Sequence, residues 1–321
     1  MLGNMSNTTT SMEAQGSVFA LMLILDFILG LPGNVVALWL LGFKAPWKPA
    51  NIYLLNLALA DVLLLVGLPF RIDSVIREEW IFHDAFCRLN LFMLSVNQSA
   101  SIAFMTVLVV DRFFRIVQPL HSICHMSIRC IVILSSVIWA AVLTLRLPLL
   151  LNSHMRSSGN SSVSLCSDIY IWTESGVVMK VHTFLFVVEF VIACMLVLFF
   201  SVRVFYYLRD KAKLRKHRRV KRTMRLLLTI MIMFAFCFVP SYITGLVSFF
   251  LKDFSSCSPY LVVDKMFSIF ISFTYLNCAL DLILYCLTSA CFRDTIKGVA
   301  NSTGVTHFRM SVKETRSPRR P

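Results

Sequence analysis

Cys87-Arg-Leu-Asn-Leu-Phe-Met-Leu-Ser-Val-Asn-Gln-Ser-Ala-Ser-Ile-Ala-Phe-Met-Thr-Val-Leu-Val-Val-Asp-Arg-Phe-Phe-Arg-Ile-Val-Gln-Pro119 is an apolar run with a cysteine at one end and an acid-base pair at the other. Cys87 and Asp111 are 24 residues apart. As a helix that is roughly 36 Å at about 1.5 Å per residue, slightly more than the ~30 Å hydrocarbon core of a bilayer. A spanning helix here puts Cys87 and Arg112 on opposite faces of a membrane.

The composition requires a membrane. The chain has 321 residues, 57% hydrophobic and 15% charged, with mean hydropathy +0.74, against about 45–50% apolar and about 25% charged in soluble domains. Ten cysteines are scattered without the close pairs of zinc or redox sites, so neither cofactor class is indicated. The net charge of +14 fits basic membrane-protein loops better than a nucleic-acid partner. Soluble enzymes are excluded by composition, and no nucleophile-base constellation occurs.

Outward from the opening stretch, apolar segments recur at about Val18–Phe43, Ile52–Val75, Phe86–Val110, Ile128–Leu151, Val177–Phe205, Leu226–Leu251 and Leu261–Leu287. Each is long enough to cross as a helix, and the sequence predicts an all-α seven-transmembrane bundle over residues 17–287. Residues 1–16 lack Lys and Arg and carry sequons at Asn4 and Asn7, as an extracellular tail would. They have no basic n-region or small-residue cleavage site of a signal peptide. A third sequon, Asn160, then falls outside. Arg209 to Arg225 holds ten Lys/Arg and one acid, Asp210, while the outer loops are balanced, so positive-inside is satisfied. Residues 288–299 read as a short interfacial helix in which Cys291 can be acylated. Residues 300–321 read as a disordered cytoplasmic tail with modifiable Ser and Thr, a possible arrestin contact.

Cys87 and Cys166 both lie on the oxidising side, where a disulfide would tie the loop between spans four and five across the bundle mouth; two free thiols are the alternative. Asp111-Arg112-Phe113 places a charged pair at the inner edge, where a plain snorkelling arginine is the alternative. Asn34, Asp61, Trp139, Cys237-Phe-Val-Pro240 and Asn277…Asp281-Leu-Ile-Leu-Tyr285 accompany the triplet in order. Together they resemble the landmarks of rhodopsin-like G-protein-coupled receptors over nearly the whole chain. The resemblance implies a plasma-membrane receptor with its N-terminus outside, activating a heterotrimeric G protein of the inhibitory class through Asp111, Arg112, Phe113, Phe238, Pro240 and Tyr285. The Arg209–Arg225 segment would flank that site, grip anionic membrane lipid, or serve only as a topology signal. Asp61, Asn97, Ser101, Asn277 and Asp281 would surround a structural Na⁺, with a water-filled hydrogen-bond network as the alternative. Four departures stand out: Phe113 for tyrosine, Phe238 for tryptophan, and Ala193 and Leu282 for two helix prolines, which removes two kink points.

Trp47-Lys-Pro, Leu68-Pro-Phe-Arg71-Ile-Asp73, Leu91 to Asn97, Val188-Glu189-Phe190 and Ser272 to Asn277 are similar to the hydroxycarboxylic acid and oxoeicosanoid receptor branch, as is an acid at Asp26. That branch implies an anionic ligand gripped by arginine. Arg71 lies ten residues beyond Asp61, roughly 15 Å higher, where its guanidinium can take a carboxylate through paired hydrogen bonds. An internal pair with Asp73, Asp26 or Glu78 is its alternative. Arg146 is a second candidate cation, although such a residue more often snorkels; Leu94, Gln98 and Tyr275 complete the ligand level. Gln98 stands where hydroxycarboxylic acid receptors carry a ligand-gripping arginine, and Cys257 lacks the N-terminal cysteine partner of that family. One arginine and an apolar pocket favour an oxidised or long-chain fatty acid, since each buried methylene contributes about 0.8 kcal/mol; a small hydroxycarboxylic acid is the alternative. Outside the receptor class, a proton relay through Asp61 and Asp281 lacks the internal repeat of transporters. A non-signalling scavenger stays open through Leu282.

Overall fold

A computed structural model describes residues 2–152, 155–157, 164–166, 176–211, 217–251 and 257–302, with the side chains of 2–15, 155–157, 164–165, 218–219, 257–262, 264–265 and 299–302 outside that description. It contains seven long helices: α1 (Leu2–Trp39, ending in a π turn, Leu40–Lys44), α2 (Pro49–Arg77), α3 (His83–Val117), α4 (Ile128–Arg146), α5 (Val177–Asp210), α6 (Arg218–Met233, a π turn Phe234–Phe238, then Val239–Leu251) and α7 (Cys257–Thr288). A shorter α8 (Ala290–Ser302) follows α7. Between α4 and α5, β1 (Met155–Ser157) and β2 (Ser164–Cys166) pair antiparallel, Met155 opposite Cys166.

Local chemistry sets the helix ends. Pro49 begins α2, where its missing N–H costs nothing. Glu78 ends α2 in the left-handed region at φ 57°, and the short return to His83 is tied by the Trp80 indole donating to the His83 carbonyl at 2.9 Å. Ser127 caps α4, its hydroxyl accepting from the Cys130 amide at 3.3 Å. At α8 the Ser289 hydroxyl accepts from the Phe292 amide at 3.4 Å.

Six of the described helices are long and apolar enough to cross a membrane by composition. The opening stretch lies on the exception, α3, and its surroundings explain why. More than half of α3 is buried, packed against α2, α4, α5 and α6, so it meets protein where its neighbours meet lipid and can carry Asn90, Asn97, Gln98 and Thr106. Other helices turn apolar faces outward: Leu21, Leu25 and Ile28 on α1, and Phe184, Val191 and Leu198, seven apart, on α5. Surface of that kind requires lipid, and the buried polar groups are correspondingly gathered inside the bundle.

Without the expected prolines, α5 runs through Ala193 for 34 residues and α7 through Leu282 for 32. Leu282 takes a packing role: a Cβ at Gly33 would meet its methyl carbons at 2.5 and 2.6 Å, so glycine at 33 is what lets α1 and α7 approach. The π turn in α6 precedes Pro240, and the loosened Cys237 carbonyl accepts from the Thr274 hydroxyl of α7 at 2.7 Å.

Candidate functional site

The chemistry-bearing residues are stacked in levels along α3. At its first turns Cys87 is disulfide-bonded to Cys166, with Cα atoms 5.8 Å apart. This ties β2 to α3. The Cys166 carbonyl accepts from Arg71 Nη1, and the Arg71 guanidinium lies 5.9 Å from the Phe19 ring centre. Phe19 meets Tyr275 edge to face at 6.4 Å, so one aromatic ring joins the two candidate ligand residues of α2 and α7. Two acids weighed as internal partners of Arg71 are held elsewhere: Asp73 by Arg77 at 2.8 Å, and Asp26 by the Ala279 amide at 3.1 Å.

Leu94 and Gln98, about two and three turns beyond Cys87 along α3, are buried. Beside them the snorkelling expectation for Arg146 fails, because its side chain is fully enclosed. Nε donates to the Ser99 hydroxyl at 2.9 Å, and Nη2 pairs with Glu189. Nη1 lies 3.5 Å from His182 Nε2, and the guanidinium stacks 4.3 Å above Phe186. An arginine from α4 is therefore bonded to the residue next to Gln98. The cause is desolvation: an acid in the neighbouring span lets the guanidinium stay buried where an unpaired one would reach for headgroups. Ser99 and His182 were missed at the sequence level; the signal was one arginine and one glutamate in adjacent apolar spans. Phe186 and Phe190 continue onto Tyr242 of α6, with ring centres 4.7 and 3.9 Å away.

The next level joins α1, α2, α3 and α7. Asn97 Nδ2 donates to Asp61 Oδ1 at 2.9 Å, and Asn277 Nδ2 to Asp281 Oδ2 at 3.0 Å. The Tyr285 hydroxyl donates to Asn34 Oδ1 at 2.7 Å and lies 3.2 Å from Asp61 Oδ2. Asn34 in turn donates to the Gly30 and Cys278 carbonyls. Ser101 Oγ, Asn277 Oδ1 and Asp281 Oδ1 are buried without a hydrogen-bond partner. Three orphaned hard oxygens, one of them on the buried acid Asp281, together with the buried Asp61 are the donor set a small hard cation takes, so the residues fit Na⁺. Tyr285, expected in the switch, thus belongs to this level, and its ring reaches Phe292 of α8 at 5.6 Å.

At the far end, Asp111 is gripped by Arg115, whose Nε donates to Oδ1 and Oδ2 at 2.9 and 3.0 Å. Arg112 Nε stands 3.7 Å from Oδ2 and makes no hydrogen bond. The expected latch between Asp111 and Arg112 is therefore loose, and the stronger partner is one turn on, at the i, i+4 spacing helices favour. Phe113 fills the tyrosine position by packing on Phe200 of α5 at 4.9 Å. Phe238 is buried against Phe234 at 5.6 Å, and Pro240 opens the last segment of α6. Trp139 donates to Asn56 Oδ1 at 2.8 Å, pinning α4 to α2. Asn160 and the tail from 303 lie outside the described residues, as do the side chains of Asn4, Asn7 and Cys257.

Residues 33–285 match the model of the 7 transmembrane receptor (rhodopsin family). Hydroxycarboxylic acid receptor 2 of Homo sapiens is 36% identical over 86% of this chain and 76% of its own length. Oxoeicosanoid receptor 1 of Homo sapiens is 33% identical over 88% and 72%. The 12-(S)-hydroxy-5,8,10,14-eicosatetraenoic acid receptor of Mus musculus is 29% identical over 88% of both chains. With the disulfide at one end of α3, the acid-base pair at the other and buried acids between, the chain belongs to the rhodopsin family of G-protein-coupled receptors, in the branch of the hydroxycarboxylic acid and oxoeicosanoid receptors.

Proposed function

We propose that this receptor answers an extracellular carboxylic acid, an oxidised or long-chain fatty acid in preference to a small hydroxy acid, and lowers cyclic AMP through an inhibitory G protein. The Cys87 end faces outward at the plasma membrane and the Arg112 end faces the cytoplasm, in line with the basic Arg209–Arg225 segment. On that orientation α8 lies along the inner face, and the tail Ser and Thr are open to arrestin.

The observation that carries the ligand reading is Arg71, held by the Cys166 carbonyl beside Phe19 and near Tyr275. A guanidinium takes a carboxylate through paired hydrogen bonds, and aromatic walls suit an alkyl chain. Arg146 serves the same ligand differently. Its charge is already matched by Glu189, so it suits a neutral oxygen, such as the hydroxyl or keto group of an oxidised acid, better than a second carboxylate. Gln98, with no charge, adds the same kind of contact. The relatives named for hydroxycarboxylic acids favour the second reading, a small acid held by the same Arg71.

A cyclic AMP screen of short hydroxy acids against oxidised long-chain acids decides between them. Arg71→Ala is expected to weaken the response to the active acid roughly 10- to 150-fold, the equivalent of about 1.5–3 kcal/mol for a charged hydrogen bond. A response to a short hydroxy acid that does not depend on Arg71 overturns both the ligand class and its anchor.

The cluster of Asp61, Asn97, Ser101, Asn277 and Asp281 is proposed to hold Na⁺, supported by its three orphaned oxygens. When bound, the ion supplies the positive charge that neighbouring buried carboxylates require; these side chains hold it and couple α2, α3 and α7.

A further inference from the structure

Before its last residue α5 carries a single acid, Glu189. The exposed cations Lys180 and Arg203 bracket the lipid-facing part of the helix, 23 residues apart, roughly 34 Å, and Glu189 lies between them near the middle of the bilayer. It stands on an edge of α5. To one side, at the i−7, i−3 and i+4 positions, His182, Phe186 and Ala193 are buried; to the other, at i−4, i+3 and i+7, Leu185, Ile192 and Leu196 are 39%, 49% and 37% exposed. The Arg146 side chain is fully enclosed, whereas 24% of the Glu189 side chain is open. Both hydrogen bonds that this carboxylate accepts among the described residues end on Oε2, from Arg146 Nη2 and from the Ser99 hydroxyl at 3.4 Å.

Hydrocarbon offers no water to an acceptor oxygen at that depth, so an open carboxylate edge is costly until a donor meets it. Arg146 already matches the charge, which makes a neutral donor the better partner than a second cation. A hydroxyl on an apolar body satisfies both the oxygen and the flanking Leu185 and Ile192. Depth then fixes where on that body the hydroxyl sits. Half of the ~30 Å core is about 15 Å, and an extended chain with bonds of ~1.5 Å advances about 1.25 Å per carbon. A carbon about twelve bonds below a carboxyl group therefore reaches the level of Glu189, and a carbon next to the carboxyl stays near the headgroups.

We propose that the open edge of Glu189 is an intramembrane site for a long acyl chain hydroxylated near its middle, the hydroxyl donating to Oε1 while the chain lies along Leu185, Ile192 and Leu196. A phospholipid and a free fatty acid both supply such a chain. The site reads a hydroxyl at mid-bilayer and needs no carboxylate, so it stands apart from the Arg71 anchor.

The test uses full-length receptor, one per phosphatidylcholine nanodisc, with no G protein or agonist present, so its outcome is separate from the ligand and coupling readings. Into the disc go phosphatidylcholines whose octadecanoyl chain carries a hydroxyl at carbon 12, at carbon 2 or nowhere, and in a further arm free 12-hydroxyoctadecanoic acid. Thermal unfolding gives the mole fraction of half effect. The 12-hydroxy chain is expected to act at a roughly tenfold lower fraction than the other two, the usual size of a hydrogen bond to a charged group. Arg146→Met with Glu189→Leu removes the acceptor without stranding the arginine and is expected to abolish the preference. Ile192→Trp fills the edge from the lipid side, leaves the ion pair untouched and is expected to do the same. Val191→Trp, at an exposed position on another side of α5, is expected to change nothing, and Arg71→Ala to keep the preference. Equal action of phospholipid and free acid assigns the site to any hydroxylated chain in the bilayer; action of the free acid alone assigns it to fatty acids. The proposal is overturned if the position of the hydroxyl makes no difference, if the double variant keeps the preference, or if Val191→Trp removes it as fully as Ile192→Trp. Loss of the preference in Arg71→Ala overturns it too, and moves the hydroxyl contact into the acid-binding site.

Discussion

At the residue scale the charges within the bundle are paired in ways their spacing in the chain only partly announces. Arg146 and Glu189 are 43 positions apart and form one ion pair in which the arginine is fully enclosed and the glutamate half-buried. Removing one member leaves the other charged in a dry place, at a cost of about 3–5 kcal/mol, while replacing both with apolar residues is often neutral. Glu189→Ala is therefore expected to lower the unfolding temperature of the detergent-solubilised receptor sharply, and Arg146→Met with Glu189→Leu to recover most of the loss. If the double variant unfolds no later than the single one, the pair does not account for the stability. Arg115 acts on the neighbouring switch. While it grips Asp111, Arg112 is held only by a 3.7 Å contact; Arg115→Ala frees the carboxylate to pair with Arg112. Basal nucleotide exchange on the G protein is expected to fall in this variant, and an unchanged or higher basal rate would show that Asp111 does not restrain Arg112.

At the element scale the absent prolines have been replaced by other devices. Leu282 projects into the space above Gly33, and the Ala279 amide inside α7 is held by Asp26 of α1. The α1–α7 contact thus combines a knob, a hollow and a cross-helix hydrogen bond at the segment where a proline would have bent α7. Gly33→Ala forces the Leu282 methyls to move, with an overpacking penalty of about 1–3 kcal/mol. Leu282→Ala in the same chain makes room for the added carbon. Thermal unfolding of the two single variants and the double variant should show this as non-additivity, with the double variant more stable than the sum of the two losses; simple additivity would place the strain elsewhere.

At the scale of the whole molecule, α3 is the axis on which the other helices are hung. Its levels run from the disulfide at Cys87, through the Arg146 cluster and the acids around Asp61, to Arg112. The Asp61 level couples the most elements, because Asn34, Asp61, Asn97, Asp281 and Tyr285 come from four helices. On the proposal that a cation binds there, its binding would stabilise the folded bundle by mass action, by about 2.7 kcal/mol at a hundredfold excess over Kd. Sodium chloride is expected to raise the unfolding temperature above that in choline chloride at equal ionic strength, and Asp61→Asn to remove the difference. Retention of the full sodium effect in Asp61→Asn would exclude this cluster as the site.

The sequence by itself determined the membrane class, seven apolar spans and the family, because lipid burial depends on composition over some twenty residues and the landmarks keep their order along the chain. It put Cys87 and Cys166 on the same oxidising side with free thiols as the alternative, and the structure joined them. Only the tertiary structure decided which charges meet. It turned Arg146 inward onto Ser99 and Glu189, gave Asp111 to Arg115 and put Tyr285 among the acids of the inner cluster. Burial of apolar surface is additive along a helix and can be read locally. The partner of a buried charge is set by which helix faces touch, and that is a property of the packed bundle.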